Sequence, residues 1–127
     1  MLDNQELKKL LGQSESEYAK FLMHNDVEAF AEAGELLWEC FKLYITRITN
    51  KKTDNLNDLR KAASQLGEEY NLLFDRCYHF HCWYEGAVPN DFEAEKQLYL
   101  KTSQSLEKTM RNKGKIRRTK RPELEIV

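Results

Sequence analysis

DVEAFAEAGELLWECFKLYITRI, residues 26–48, is the stretch on which the fold turns. Asp26 is of the type that accepts hydrogen bonds from the free amides of a helix's first turn. Behind it Val27, Phe30, Gly34, Leu37, Phe41, Tyr44 and Ile48 recur at alternating spacings of three and four. That is the period of one continuous helix with an apolar stripe. Leu36, Cys40 and Leu43 widen the stripe on one flank, and a helix apolar over so broad an arc needs cover from more than one neighbour. The spacing therefore predicts a single long helix over residues 27–48 around which the other segments assemble.

On the N-terminal side, Ser14 followed by Glu17 has the form of a capping box. This predicts a short helix over about 15–24, preceded by a separate one over NQELKKLL. On the C-terminal side the polar run TNKKTDNLND breaks the pattern, which resumes with Leu59, Ala62, Ala63 and Leu66, then Tyr70, Leu73, Phe74 and Cys77. Gly67 in the middle marks a kink or a short turn. Gly86 and Pro89 stop this segment, and Asn90 or Asp91 caps a last helix with Phe92, Leu98, Tyr99, Thr102, Leu106 and Met110 on its inner face. The expected fold is all-α, an up-and-down bundle of four to five helices over residues 1–112, with a basic C-terminal tail over 113–127.

Composition agrees. The chain has 127 residues, enough for one domain with a real core, and only seven Gly and Pro to make the turns an all-β fold needs. No run of about 20 apolar residues offers a membrane span, and MLDNQELKKLL lacks the order of a signal peptide. The three cysteines, Cys40, Cys77 and Cys82, have no CxxC spacing and suit free thiols in a reducing compartment, so a cytoplasmic protein is expected. Charge is divided unevenly. Residues 1–107 hold 12 bases against 19 acids, a net of -7, whereas residues 108–121 hold eight bases and no acid.

Chemistry-bearing residues concentrate in RCYHFHCWYEG, residues 76–86. Three readings compete there. In the first, Cys77 and His81, one helical turn apart, share a cation; further ligands would have to come from Cys40, His24 or His79, which no motif spacing supports. In the second, Arg76 and His81 form an Arg-x4-His pair, a fixed cation for phosphate and a group that moves protons near neutral pH. Those are the minimum for metal-free RNA cleavage, in which the 2'-hydroxyl attacks its own phosphate. On a regular helix, however, positions five apart lie about 140° from each other. In the third, Tyr78, Phe80, Trp83 and Tyr84 fill a core while the histidines serve as polar partners. A strand over CYHFHCWY would have nothing to pair with, so a helix is expected here too.

The run NDVEAFAEAGELLWECFKLYI resembles the "G-D-x-x-Q-A-x-E-K-L-W" helix of small archaeal HEPN proteins of the PaREP type. LFDRCYHFHCWYEGAVPNDFEAE is similar to their "L-H-x-N-F-Y-E" helix end, short loop and last helix. Order and spacing agree over residues 15–110, mainly at packing positions. The resemblance implies a bundle of four or five helices, commonly a homodimer. For the members that are metal-independent ribonucleases it implies an Arg-x4-6-His motif at the dimer axis, which falls here on Arg76 and His81. On a ribonuclease reading of this chain, Tyr78 or His79 would be secondary substrate contacts. No cofactor is implied. The basic tail, through Lys115, Arg117, Arg118, Lys120 and Arg121, is expected to be poorly ordered and to hold RNA in a sequence-tolerant, salt-sensitive way. A different class of function stands beside this one: a non-catalytic interaction module, one half of a toxin and antitoxin-like pair, whose bundle face binds another protein.

Overall fold

A computed structural model describes residues 5–50, 55–84, 86 and 91–119, with side chains through Arg111. Its described residues form five helices and no strand: α1 Gln5–His24, α2 Val27–Thr49, α3 Leu56–Leu66, α4 Glu68–Tyr84 and α5 Phe92–Thr119. None of these helices is long and apolar enough to cross a membrane.

α2 is the axis of the bundle, as its pattern predicts, and it packs against each of the other four helices. Asp26 caps it by accepting from the Ala29 amide at 3.2 Å, and Asn50, in the left-handed region at φ 58°, ends it. Ala29, Phe30, Ala33, Gly34, Leu37, Trp38, Cys40, Phe41, Tyr44 and Ile45 are all buried within the single chain. Of the residues that widen the stripe, Cys40 is buried and Leu36 and Leu43 are half-buried. Val27, expected at the head of the stripe, is 41% exposed because it lies in the first turn, beyond the reach of its neighbours.

The N-terminal segment departs from expectation. α1 is one unbroken helix, and Ser14 lies in its middle rather than at a cap. Its hydroxyl is fully buried, donates to the Ala33 carbonyl at 2.6 Å and accepts from the Tyr99 hydroxyl at 2.8 Å. A buried hydroxyl needs such partners, and here they come from α2 and α5. Asn25, at φ 56°, closes α1, and the link to α2 is so short that the two helices run antiparallel.

Gly67 makes a full break. At φ 131° it occupies backbone space that side-chain-bearing residues rarely enter, so α3 and α4 are separate helices. Arg60 holds them together: it pairs with Asp75, donates to Asn71 Oδ1 at 3.0 Å and lies 4.2 Å over the Phe74 ring. Asp91, one of the two expected caps, accepts from the Ala94 amide at 3.2 Å and starts α5. α5 continues in helical backbone to Thr119, past the boundary at residue 112 where the tail was expected to begin.

Candidate functional site

The residues of the 76–86 stretch leave α4 in three directions. Phe80 and Trp83 turn inward and join Tyr18, Phe21, Phe30, Phe92 and Tyr99 in an aromatic core. His79 reaches α5, where its Nε2 lies 2.8 Å from Glu95 Oε1. His81 reaches α2, where its Nδ1 lies 2.8 Å from Glu35 Oε1.

Backbone packing makes the second of these pairs attainable. Gly34, next to Glu35, has no side chain, and a Cβ built there would come 2.7 Å from Phe80 Cβ. The absent side chain lets α4 approach α2 closely just where His81 follows Phe80. The imidazole then stacks on Trp38, with centroids 5.5 Å apart, and leans on Tyr78 at 5.8 Å. It remains 27% exposed, whereas Glu35 is 16% exposed.

Burial pushes the Glu35 carboxyl above its usual range, Glu39 adds to this, and the hydrogen bond and charge of His81, with Lys42, pull the other way. The contact is made through Nδ1, so Nε2 is the ring nitrogen turned away from the carboxylate. Nε2 has no hydrogen-bond partner among the described residues. A carboxylate on one ring nitrogen and an open second nitrogen is an arrangement suited to proton transfer.

Arg76 is half-buried on the same helix and makes no hydrogen bond or ion pair among the described residues. Because α4 is helical throughout 68–84, Arg76 and His81 leave it about 140° apart and about 7.5 Å along its axis. They do not converge on one point within the chain. Tyr78 is half-buried between Trp38 and Phe74, and a hydrogen bond with Cys82 raises its hydroxyl's pKa. His79 already spends its Nε2 on Glu95. Lys115, Arg117 and Arg118 lie on the helical backbone of α5 with side chains outside the described residues, and Lys120 and Arg121 lie outside them altogether.

The shared-cation reading of Cys77 and His81 gains no further ligands. Among the described residues no three His, Cys, Asp or Glu side chains gather as a metal site would need. Cys77 points into the core, and burial raises its thiol far above the ordinary range, the opposite of what a thiolate ligand requires.

Glu35 was not singled out by the sequence, since it lies 46 residues from His81 and no spacing links them. Its one signal is local: a carboxylate beside the Gly of a broad apolar arc, where a charge needs a partner. Comparison of the chain with protein-family models, with curated proteins and with solved structures finds no match.

Proposed function

We propose that this chain is a HEPN-like bundle of the small archaeal PaREP type that cleaves RNA without a metal ion, with His81 as the proton-transfer group. The observation that supports this most is the Glu35–His81 pair, 2.8 Å apart, on an imidazole that is still partly exposed. His81 Nε2 takes the proton of a ribose 2'-hydroxyl as that oxygen attacks the adjacent phosphorus. The bond to the 5'-oxygen breaks, a solvent water protonates that oxygen as it leaves, a cyclic phosphate remains on the other fragment, and Nε2 returns its proton to solvent. Glu35 holds the ring's orientation and tautomer through Nδ1. Arg76, about 7.5 Å further along α4, engages a neighbouring phosphate as the strand crosses the helix. Tyr78 and His79 flank the path, and the bases of the C-terminal segment, Lys115, Arg117, Arg118, Lys120 and Arg121, add salt-sensitive attraction. The protein works in the cytoplasm on this reading.

The test is incubation of the purified chain with RNA in the presence of a chelator. Wild type should cut and leave cyclic phosphate ends, and His81→Ala should lose about 10²- to 10⁴-fold in rate. Absence of chelator-resistant cutting, or a fully active His81→Ala, rejects the nuclease.

A second reading is favoured by a different observation. Leu22, Met23 and Val27, exposed by 55%, 75% and 41%, group around the α1–α2 turn. An apolar cluster at one end of a bundle suits a non-catalytic module that binds another protein, as in a toxin and antitoxin-like pair. A chain that cuts nothing with or without chelator, and binds a partner through these three residues, would establish that reading instead.

A further inference from the structure

α4 and α5 run antiparallel, and two contacts fix their register. The Thr109 hydroxyl donates to Glu69 Oε2 at 2.9 Å, and His79 Nε2 lies 2.8 Å from Glu95 Oε1. Between these ties the groove carries bases from both helices. Arg76 precedes His79 by one turn, so the two side chains leave α4 on neighbouring sides, about 60° apart. The same step along α5 leads from Glu95 to Leu98, and Lys101 follows one turn later. Tyr99 stacks on Tyr18 of α1, and Lys101, about 160° round α5 from Tyr99, lies on the edge toward α4. Arg76 is half-buried and Lys101 exposed, and neither has a hydrogen bond or ion pair among the described residues.

A guanidinium drawn partly out of water needs an anion, and the acids around this one are engaged elsewhere. Glu69 and Glu95 hold Thr109 and His79, and Asp75, next to Arg76, pairs with Arg60 on the α3 side. Glu95 is only 12% exposed and fixes the more open His79 ring through Nε2, so Nδ1 is the nitrogen turned away from the carboxylate. Helical side chains lean over the turn before them, which brings this imidazole toward the level of Arg76. Nδ1 offers a lone pair or an N–H according to where the proton shared with Glu95 sits. A phosphate monoester meets both, because it exchanges its own second proton at about pH 6. A diester has no such proton and meets only the N–H.

We infer that Arg76, His79 and Lys101 hold the terminal phosphate of a nucleic-acid strand in the α4–α5 groove, with Glu95 as the positioning residue for the imidazole. A terminal monoester carries about two negative charges and three acceptor oxygens, an oxygen for each of the three side chains. A phosphate inside a strand has one charge and one such oxygen fewer. The phosphate that Arg76 engages is then the strand's end. Lys101 and Lys108, two turns apart on the same edge of α5, are both exposed, and six further bases follow Arg111 over residues 112–121. The phosphates behind the first therefore meet cations along the same helix, which suits a strand better than a small phosphorylated metabolite. His81 leaves α4 about 160° from His79 and turns to Glu35 of α2, so the groove and the Glu35–His81 pair are filled separately. The inference rests on the RNA-binding part of the proposed function and not on cutting at His81.

Fluorescence anisotropy with short, internally labelled 2'-O-methyl oligouridylates tests it. These lack the 2'-hydroxyl, so binding is read whether or not the chain cuts RNA. Three forms are compared: 5'-phosphorylated, 3'-phosphorylated, and hydroxyl at both ends. Wild type should bind one phosphorylated form at least about tenfold tighter than the unphosphorylated one, the size of a single charge-assisted hydrogen bond, and the comparison identifies which end is held. Arg76→Gln, His79→Ala and Lys101→Gln should each lose most of that difference. Lys101 is exposed, so its exchange leaves the core packed as before. Lys8→Gln, which removes an exposed base on α1, should keep the difference. Equal binding of all three forms by wild type overturns the inference while RNA binding stands, whereas no binding of any form ends the RNA-binding reading and this inference with it. A difference that survives both Arg76→Gln and Lys101→Gln, or that Lys8→Gln abolishes equally, also overturns the assignment to the groove.

Discussion

Two hydroxyls decide how α1, α2 and α5 are registered against one another. Ser14 has a single proton and gives it to the Ala33 carbonyl, so the Tyr99 hydroxyl donates to Ser14. Removing Ser14's oxygen strands a buried phenol, whereas removing both oxygens strands nothing. Ser14→Ala should therefore cost about 1–3 kcal/mol, and Ser14→Ala/Tyr99→Phe clearly less than the sum of the single changes. Urea unfolding of the four chains measures the coupling, and strict additivity would show that the contact contributes nothing. Glu35 gives a second prediction at this scale. Its carboxyl is raised by burial, so the fold favours the protonated form. The associated stabilisation is fully present below the unfolded carboxylate's pKa and is lost as pH rises through the folded value. Glu35→Gln keeps an acceptor for His81 Nδ1 without the buried charge. It should be at least as stable as wild type at neutral pH while slowing RNA cutting; a marked drop in Tm would mean that the ionised carboxylate stabilises the fold. Neither pair was legible in the sequence. Ser14 and Glu17 match a capping box locally, and the partner that overrides this, Tyr99, is 85 residues away.

At the scale of elements, what could be read was whatever repeats locally. The long helix α2, its Asp26 cap, the break at Gly67 and the Asp91 cap each follow from a few adjacent residue types, because helix period and capping are settled within one or two turns. The close approach of α2 and α4 was not legible, since it depends on which residue of another helix faces Gly34. The consequence is a contrast between two glycines that helix propensity alone would treat alike. Alanine at either position gains up to about 1 kcal/mol of intrinsic helix preference. At Gly12 the added methyl meets nothing within 4 Å, so Gly12→Ala should stabilise by roughly that amount. At Gly34 it would lie 2.7 Å from Phe80 Cβ and 3.1 Å from Cγ. Those atoms sit at the base of the side chain and move only with α4, so the helices must separate. Gly34→Ala should therefore lose about 1–3 kcal/mol despite the propensity gain. It should also weaken the Glu35–His81 contact, visible as slower cutting on the nuclease reading. Equal effects of the two substitutions on the urea midpoint would refute the close contact.

For the molecule as a whole, the buried acids set the response to alkaline pH. Burial pushes the Cys40 thiol up to about 12 and the Cys77 thiol further, and burial is also the first cause that raises the Tyr44 and Tyr99 hydroxyls. In the unfolded chain thiols ionise near 8.5 and phenols near 10. A folded-state pKa above the unfolded one means that stability is complete below the unfolded value and declines as pH climbs toward the folded value. Each thiol should thus remove about 1.4 kcal/mol per pH unit from about pH 9 upward, with the phenols joining near pH 10. Against a typical total of about 5–15 kcal/mol, this should unfold the bundle within two to three units of neutrality's alkaline edge, at about pH 10–12. The thiols can be separated from the phenols because they begin to act earlier. Cys40→Ala/Cys77→Ala exchanges two small buried side chains for one slightly smaller type, which lowers stability by a nearly constant amount at every pH. The same exchange removes both thiol ionisations. The variant's urea midpoint should therefore start below wild type at pH 7, hold nearly level between about pH 8.5 and 10 where wild type falls, and decline only as the phenols of the unfolded chain begin to titrate. Parallel curves for the two proteins across that window would locate the alkaline sensitivity elsewhere than in the core thiols.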